Sequence, residues 1–537
     1  MAGSPPAARV ERLCAAAVGL AMVAWASVFA SQSWQLYGRF GLLVYDLAIF
    51  DQATWLISHG QTALVTVRGL HILADHFSPV LYLIAPLYPV WPDARALLAL
   101  QVVALAAGAA PVYALASRAT ASAPLGLVFG LAYLLYPAVQ WTALFEFHAE
   151  MLAVPALLAA LACLLSRRRR AYLAYLVLAA LTKETVGLSI VALAPFALAV
   201  DRQAGWRTLA VGVAALTVAM ATTTRMNGGP SPYFAVYSRY GGSPGSVARH
   251  VATQPLATVA DLDSGANREY LADTLRPVLA LPLLAPGALL PAVPPLLLNL
   301  LSERRVMHSI QYQYTALVTP FVLAASVLGF ARWRRWGNRF TTGLALAFLV
   351  VCVGQGAARG PLLTRGWRPP GLTAAGANET RALLAAIPPT ASVSAQAAIA
   401  AHLAHRRAIH AFPNPFHRVA TGPGAQALRQ MQGEDYAPCS EDALDEAVAA
   451  APVEYVALCP ATTLFPASVD LYHRCAIAVL RSPAYGIVAL GRDTVILRRG
   501  APRAEGLRLL SRRSGTSIGR PADGERAWMA WVRAGGG

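Results

Sequence analysis

Apolar runs of about 18–20 residues recur along the first two thirds of this 537-residue chain and stop near residue 354. A helix rises about 1.5 Å per residue, so each run matches the roughly 30 Å thickness of a hydrocarbon core. Only 13% of the residues are charged and 56% are hydrophobic, where soluble domains carry about 25% charge. The chain reads as a polytopic α-helical membrane protein. Its first run, "LCAAAVGLAMVAWASVFA" at 13–30, follows Arg9 and Arg12. It is long for a signal-peptide core and lacks a small-residue cleavage site, so it is expected to stay as the first span.

The formal charge of +17 raises nucleic acid as a partner. The arginines, however, gather in short patches between apolar runs, with no basic face bearing base-reading or stacking groups. They follow the rule that short cytoplasmic loops hold the Arg/Lys excess. With the N-terminus inside a bacterial inner membrane, the inner segments hold Arg9 and Arg12, Arg118, "RRRR" (167–170), Arg202 and Arg207, and "RWRRWGNR" (332–339). This bookkeeping yields about eleven spans over 1–354, among them 271–286 and 288–301, and a large first outer loop at 31–93. It leaves the C-terminal region outside the cell.

"LTKETVG" (181–187) interrupts that pattern. Residues 171–200 contain no other charge, and Lys183 is the single lysine among 44 basic residues. As one helix this stretch would measure about 45 Å, too long for one upright span and too short for two full ones. Two half-length segments meeting at Thr182–Thr185 fit better, with the tip just below the outer surface. Irregular backbone at that depth is tolerated only where it is buried in protein or lines a cavity. A charge there costs about 2.5–3.5 kcal/mol on insertion scales and marks function by default. The alternative is that Lys183 and Glu184 sit hydrated in the headgroup region.

From about 355 the pattern changes to helices alternating with short strands: 377–388 helix, 391–396 strand, 406–412 strand, 440–451 helix capped by Ser440, 453–459 strand, and two strands within 485–499. Residues 355–500 thus read as a soluble α/β domain outside the membrane. Residues 501–537 are Arg/Gly-rich and expected to be loose. Cys439, Cys459 and Cys475 leave room for one disulfide in this region, while Cys14, Cys163 and Cys352 fall in apolar runs.

The outward segments collect acidic and histidine residues. "YDLAIFDQATWLISHGQ" (45–61) holds Asp46 and Asp51, which a straight helix separates by about 140°. "HILADHFSPVLYLIAPLYPVWP" (71–92) brings Asp75 and His76, and "FEFHAE" (145–150) brings Glu146, His148 and Glu150. In that last turn the i,i+4 spacing predicts both glutamates on one helix face. "SERRVMHSIQYQY" (302–314) adds Arg304, Arg305, Tyr312 and Tyr314. Carboxylates gathered on one side suit a general base or a divalent cation such as Mg or Mn, and arginines suit a phosphate. Asp75, Glu146, His148 and Glu150 are the candidate metal ligands.

These elements carry a resemblance. "YDLAIFDQ", "DHFSPVLYLIAPLY", "YPAVQ…FEFHAE", "LTKE" and "PPLLLNLLS…QYQY" look like the bacterial membrane-protein family called domain of unknown function 2079, over roughly 40–335. That family in turn resembles the C-type membrane glycosyltransferases, which take sugars from polyprenyl-phosphate lipids on the outer face. The resemblance implies a catalytic Asp in the first outer loop about fifteen residues before a glycine. Asp46 stands fourteen before Gly60 and Asp51 nine, so the role falls on Asp46. His76 and Phe77 depart from the usual residues of the following helix, which leaves the second acidic position to Asp75, Glu146 or Glu150.

The expectation is a glycosyltransferase of the cell envelope, with a membrane lipid carrying a polyprenyl-phosphate-linked sugar as partner. Asp46 would be the base. Lys183 with Arg304 or Arg305 would hold the phosphate, and Asp51, His76, Glu184, Tyr312 and Tyr314 would line the substrate site. Two other readings stay open: a cation or small-solute transporter, favoured by the broken helix, and a non-catalytic anchor or assembly protein displaying the C-terminal domain.

Overall fold

The computed structural model describes residues 5–229, 231–333, 338–361, 370–417, 441–515 and 523–535. The proposed cap Ser440, Cys439 and the middle of "RWRRWGNR" (334–337) lie outside the described residues.

Helix α1 (Pro5–Gly38) runs well past the first apolar run. It leaves Leu13, Leu20 and Val23 more than 60% exposed and buries only 17% of its most apolar window. A helix that apolar and that unburied belongs in lipid. Among the described residues four helices are long and apolar enough to cross a membrane: Ala7–Gly38, Arg95–Thr120, Arg202–Asn227 and Thr341–Arg359. A fifth would be the pair Ala123–Leu135 and Pro137–Leu144, bent by 46°. Pro137 explains the bend, because its ring drives Tyr136 out of helical geometry, to ψ 119°. One apolar core runs from Val18 of α1 through these helices to Cys352.

The "LTKETVG" stretch breaks as its length required. Helix α3 (Arg169–Ala180) ends before it and helix α4 (Val186–Val200) begins after it. Residues 271–301 depart from expectation. Two spans were anticipated there, but the chain forms short pieces: Arg276–Val278, Leu281–Leu284, Pro286–Leu289, Leu290–Ala292 and Val293–Leu300. Six prolines between 277 and 295 remove the amide donors and clash with the turns a continuous helix would need.

Between α1 and the next long helix lies helix α2 (Asp46–Ser58), followed by a small antiparallel hairpin of β1 (Leu64–Val65) and β2 (Leu70–His71). The C-terminal region builds a five-stranded mixed sheet in the order β4-β3-β5-β7-β6, from β3 (Val393–Ala395), β4 (Ile409–Ala411), β5 (Tyr455–Leu458), β6 (Tyr485–Leu490) and β7 (Val495–Arg499). Strands β4, β3 and β5, from one edge inward, are parallel, and β7 turns antiparallel. Helices Ala374–Leu384 and Glu441–Ala450 match the helical expectations.

Leu47, Ile49, Phe50 and Ile72, from the stretch that follows α1, pack in one cluster with Val393, Ile399, Ile409 and Ala457 of the sheet unit. One reading of this region needs correction: the final residues are not loose where described. Helices Arg503–Ser514 and Asp523–Gly535 pack on the sheet, with Trp528 fully buried and Trp531 beside it. Arginine and glycine content hid an amphipathic pattern whose apolar face is built from tryptophans. Cys459 and Cys475 are both buried, in different clusters.

Candidate active site

Helix α2 begins without a cap of its own, because Tyr45 at the N-cap makes no side-chain bond to the first turn. Glu146, 99 residues beyond Leu47, fills that role. The Val44 and Leu47 amides donate to its two carboxylate oxygens at 2.8 and 2.9 Å. This satisfies two donors that would otherwise be stranded in a buried setting. It also corrects the expected helical face at 145–150. Helix Pro137–Leu144 stops, Phe145 and His148 are extended, and a 3-10 turn starts only at Ala149. Extended backbone throws Glu146 and Glu150 toward different partners.

Asp46 is the first residue of α2, where the helix dipole favours a carboxylate. Its Oδ2 lies 3.2 Å from His148 Nε2, with the carboxylate side chain 27% exposed and the imidazole 2%. The other ring nitrogen, Nδ1, lies 2.9 Å from the Glu146 carbonyl oxygen. Both nitrogens therefore face acceptors, and only the imidazolium can donate to both. Burial works against that charge, but Asp46, Glu150 and the Glu146 carbonyl outweigh it and raise the histidine pKa. Burial likewise pushes Asp46 upward, while the His148 hydrogen bond and charge, then Arg304 and His76, carry it below the usual carboxylate range. Glu146 goes the other way. Burial and the Asp46 charge push it up to about 8, against the two amide bonds.

Two residues from His148, Glu150 Oε1 accepts from Lys183 Nζ at 2.5 Å. Burial opposes the ammonium charge, yet Glu150 and Glu184 hold its pKa above the ordinary lysine value. The other two ammonium donors have no partner among the described residues. Glu184 accepts from the Phe77 amide at 3.1 Å and lies 3.8 Å from His76 Nδ1. His76 stacks on Tyr233, ring centroids 4.9 Å apart. Arg304 sits over the Tyr314 ring at 5.8 Å, and the phenol lies within electrostatic reach of Asp46, Lys183 and Glu150. Asp46, His76, His148, Glu150, Lys183, Glu184, Arg304 and Tyr314 are thus linked by contacts and charge interactions into one cluster. Its partly exposed groups are Asp46, His76, Lys183 and Glu184.

Other expected members lie elsewhere. Asp51 is fully buried on the far side of α2, where its Oδ1 accepts from Tyr88 at 2.5 Å and meets His405 Nε2 at 3.0 Å. The 140° separation on α2 accounts for this divergence from Asp46. Arg305 is exposed. Tyr312 packs edge-on against Phe145 and, with Leu36, Leu43, Trp141 and Glu146, lines an apolar cavity of about 120 Å³.

The four candidate metal ligands do not fit an ion. Asp75 pairs with the buried Arg68 at 3.2 Å and accepts from Tyr233 at 2.8 Å, Glu146 caps α2, His148 meets Asp46, and Glu150 meets Lys183. Among the described residues no group of three or more His, Cys, Asp or Glu converges as a metal site would require. Arg68, Tyr233 and His405 were missed in the sequence. The sole available signal was that Arg68 is a lone cation in the otherwise uncharged stretch between Asp51 and Asp75.

A family model described as "Predicted membrane protein (DUF2079)" matches residues 39–435. No curated protein matches the chain. Among solved structures, ArnT from Cupriavidus metallidurans bound to undecaprenyl phosphate aligns at 14% identity and TM-score 0.47, over 88% of this chain and 98% of that one. The apo form of the same protein aligns at 14% identity and TM-score 0.45, over 89% and 98%.

Proposed function

We propose the following for a chain that belongs to the DUF2079 family of predicted membrane proteins: it is an integral-membrane glycosyltransferase. It moves a sugar from a polyprenyl-phosphate donor to an acceptor hydroxyl on the outer face of a bacterial inner membrane. In this reading the N-terminus is cytoplasmic, several segments span the bilayer, and the C-terminal α/β unit stands outside. The observation that carries the reading is the pairing of a partly exposed carboxylate, Asp46, with a free-ended cation, Lys183, across the shared pair His148 and Glu150.

Each residue then has a task. The ionised Asp46 takes the proton of the acceptor hydroxyl as its oxygen attacks the anomeric carbon. The bond from that carbon to the phosphate oxygen breaks, and the lipid phosphate leaves with the electron pair. Lys183, through its two remaining donors, and Arg304 stabilise the phosphate as its charge grows. His148, doubly protonated, orients Asp46 and keeps its charge tolerable in a largely buried site. Lysine suits the crowded pocket because its ammonium is compact where a guanidinium is a wide planar fork. No step passes through a metal ion, since the carboxylates that would bind one are already engaged.

The test is an in vitro transfer assay with purified protein in lipid, supplied with polyprenyl-phosphate sugars. Transfer by the native protein and its loss in Asp46→Asn are the expected results. Transfer that survives Asp46→Asn removes Asp46 from the role of base, and ion flux without transfer would favour a transporter.

A further inference from the structure

One fully buried carboxyl group that the proposed chemistry leaves unused is Asp51. It sits five residues after Asp46, on the opposite side of α2, and is fully buried. Its Oδ1 receives Tyr88 and His405, while Oδ2 is buried without a partner among the described residues. His405 comes from the α/β unit, 354 residues later in the chain. Its ring lies nearly parallel to Trp55 of α2, 6.1 Å away, and tilted against Tyr88 at 5.6 Å.

Neighbouring contacts extend this seam. Gln52 Nε2 donates to the Arg406 carbonyl at 3.0 Å and to Thr66 Oγ1 at 2.9 Å. Thr66 Oγ1 in turn donates to the Ile409 carbonyl at 2.8 Å and accepts from the Ile409 amide at 2.9 Å. The hairpin segment thereby pairs with β4, the outer edge of the five-stranded sheet, where backbone groups need partners. Residues 47–54 of α2 are all buried, so one face of the helix rests on the site and the other on the sheet unit.

We propose that His405 is a positioning residue: by holding Asp51, the C-terminal α/β unit sets the orientation of α2 and so the place of Asp46 beside His148. A helix is stiff over five residues, about 7.5 Å along its axis, so a displacement at Asp51 reaches Asp46 undamped. A misplacement of about 1 Å in a reacting group is enough to cost two orders of magnitude in rate. What Asp46 does rests on the glycosyltransferase reading; that the sheet unit orders α2 does not.

The experiment separates the two. The full-length protein in lipid nanodiscs is followed by hydrogen–deuterium exchange as wild type, His405→Ala and His405→Gln. The expected result is exchange about tenfold faster in the first turns of α2, with peptides 453–459 and 485–499 of the sheet unchanged. Unchanged exchange in α2, or equal loosening of α2 and the sheet, overturns the proposal, since the second outcome is loss of fold. In the transfer assay, kcat should fall about tenfold with KM unchanged, and His405→Lys should recover part of it. A raised KM at unaltered kcat also overturns it. Should the wild type transfer no sugar, the glycosyltransferase reading fails separately and the exchange measurement alone decides the role of His405.

Discussion

Helix α3 carries an ion pair at each end, and the two could hardly differ more. At its start, Arg169 Nε meets Asp201 Oδ2 at 2.7 Å, with the arginine side chain 48% exposed. Asp201 is fully explained as a cap, since its Oδ1 accepts from the Gln203 and Ala204 amides that open helix Arg202–Asn227. Beyond the other end, Lys183 and Glu150 meet at 2.5 Å with side chains only 15% and 5% exposed. No helix end needs that second pair, and its removal from water is costly. The comparison teaches that pairing chemistry alone does not mark a site. Burial without a structural task does.

The strongest way to break the comparison is Asp46→Asn, which should lower transfer by about two to four orders of magnitude while the protein stays folded. An unaffected rate would move the base to another group of the cluster. Next comes Lys183→Met, which strands Glu150 and should destabilise the protein by about 3–5 kcal/mol, measured as unfolding midpoints in mild detergent. The double variant Lys183→Met/Glu150→Gln should recover part of that loss but none of the activity. Recovery of activity would mean that the lysine serves only to neutralise the glutamate.

A third measurement concerns pH. Glu146 is held near 8, above its unfolded value, so its protonated form is favoured in the folded protein and lost as pH rises through about 8. Ionisation there adds a negative charge beside Asp46. Transfer should fall on that alkaline side, and Glu146→Gln should flatten the fall. A limb that persists in the variant belongs to another group. The smallest effect is expected at the opposite end of α3. Arg169→Ala should leave transfer unchanged and shift the midpoint least, by an amount that shrinks further with salt.

The sequence exposed a good deal of this. The break at "LTKETVG", the five C-terminal strands and the opposed directions of Asp46 and Asp51 all follow from local rules: chain length against bilayer thickness, alternating apolar residues, and 100° per helical residue. The short pieces at 271–301 were legible too, had the six prolines been weighed above hydropathy. Other features were not local. Glu146 as the cap of α2 joins segments 99 residues apart, and His405 on Asp51 joins segments 354 apart. No periodicity records such partnerships.

Sequence alone determined that the chain belongs in a membrane, that Asp46 and Asp51 point to different sides of a helix, and that one lysine sits at an interruption in apolar sequence. Each of these depends on residues close together in the chain. Tertiary structure decided which carboxylate stays partly exposed beside a histidine, which one caps and which is locked under the sheet. The physical reason is that a buried charge must find compensation, and several carboxylates within reach compete for few cations and amides. Lys183 went to Glu150, His148 to Asp46, two amides to Glu146 and Arg68 to Asp75. Only the folded chain brings those choices together.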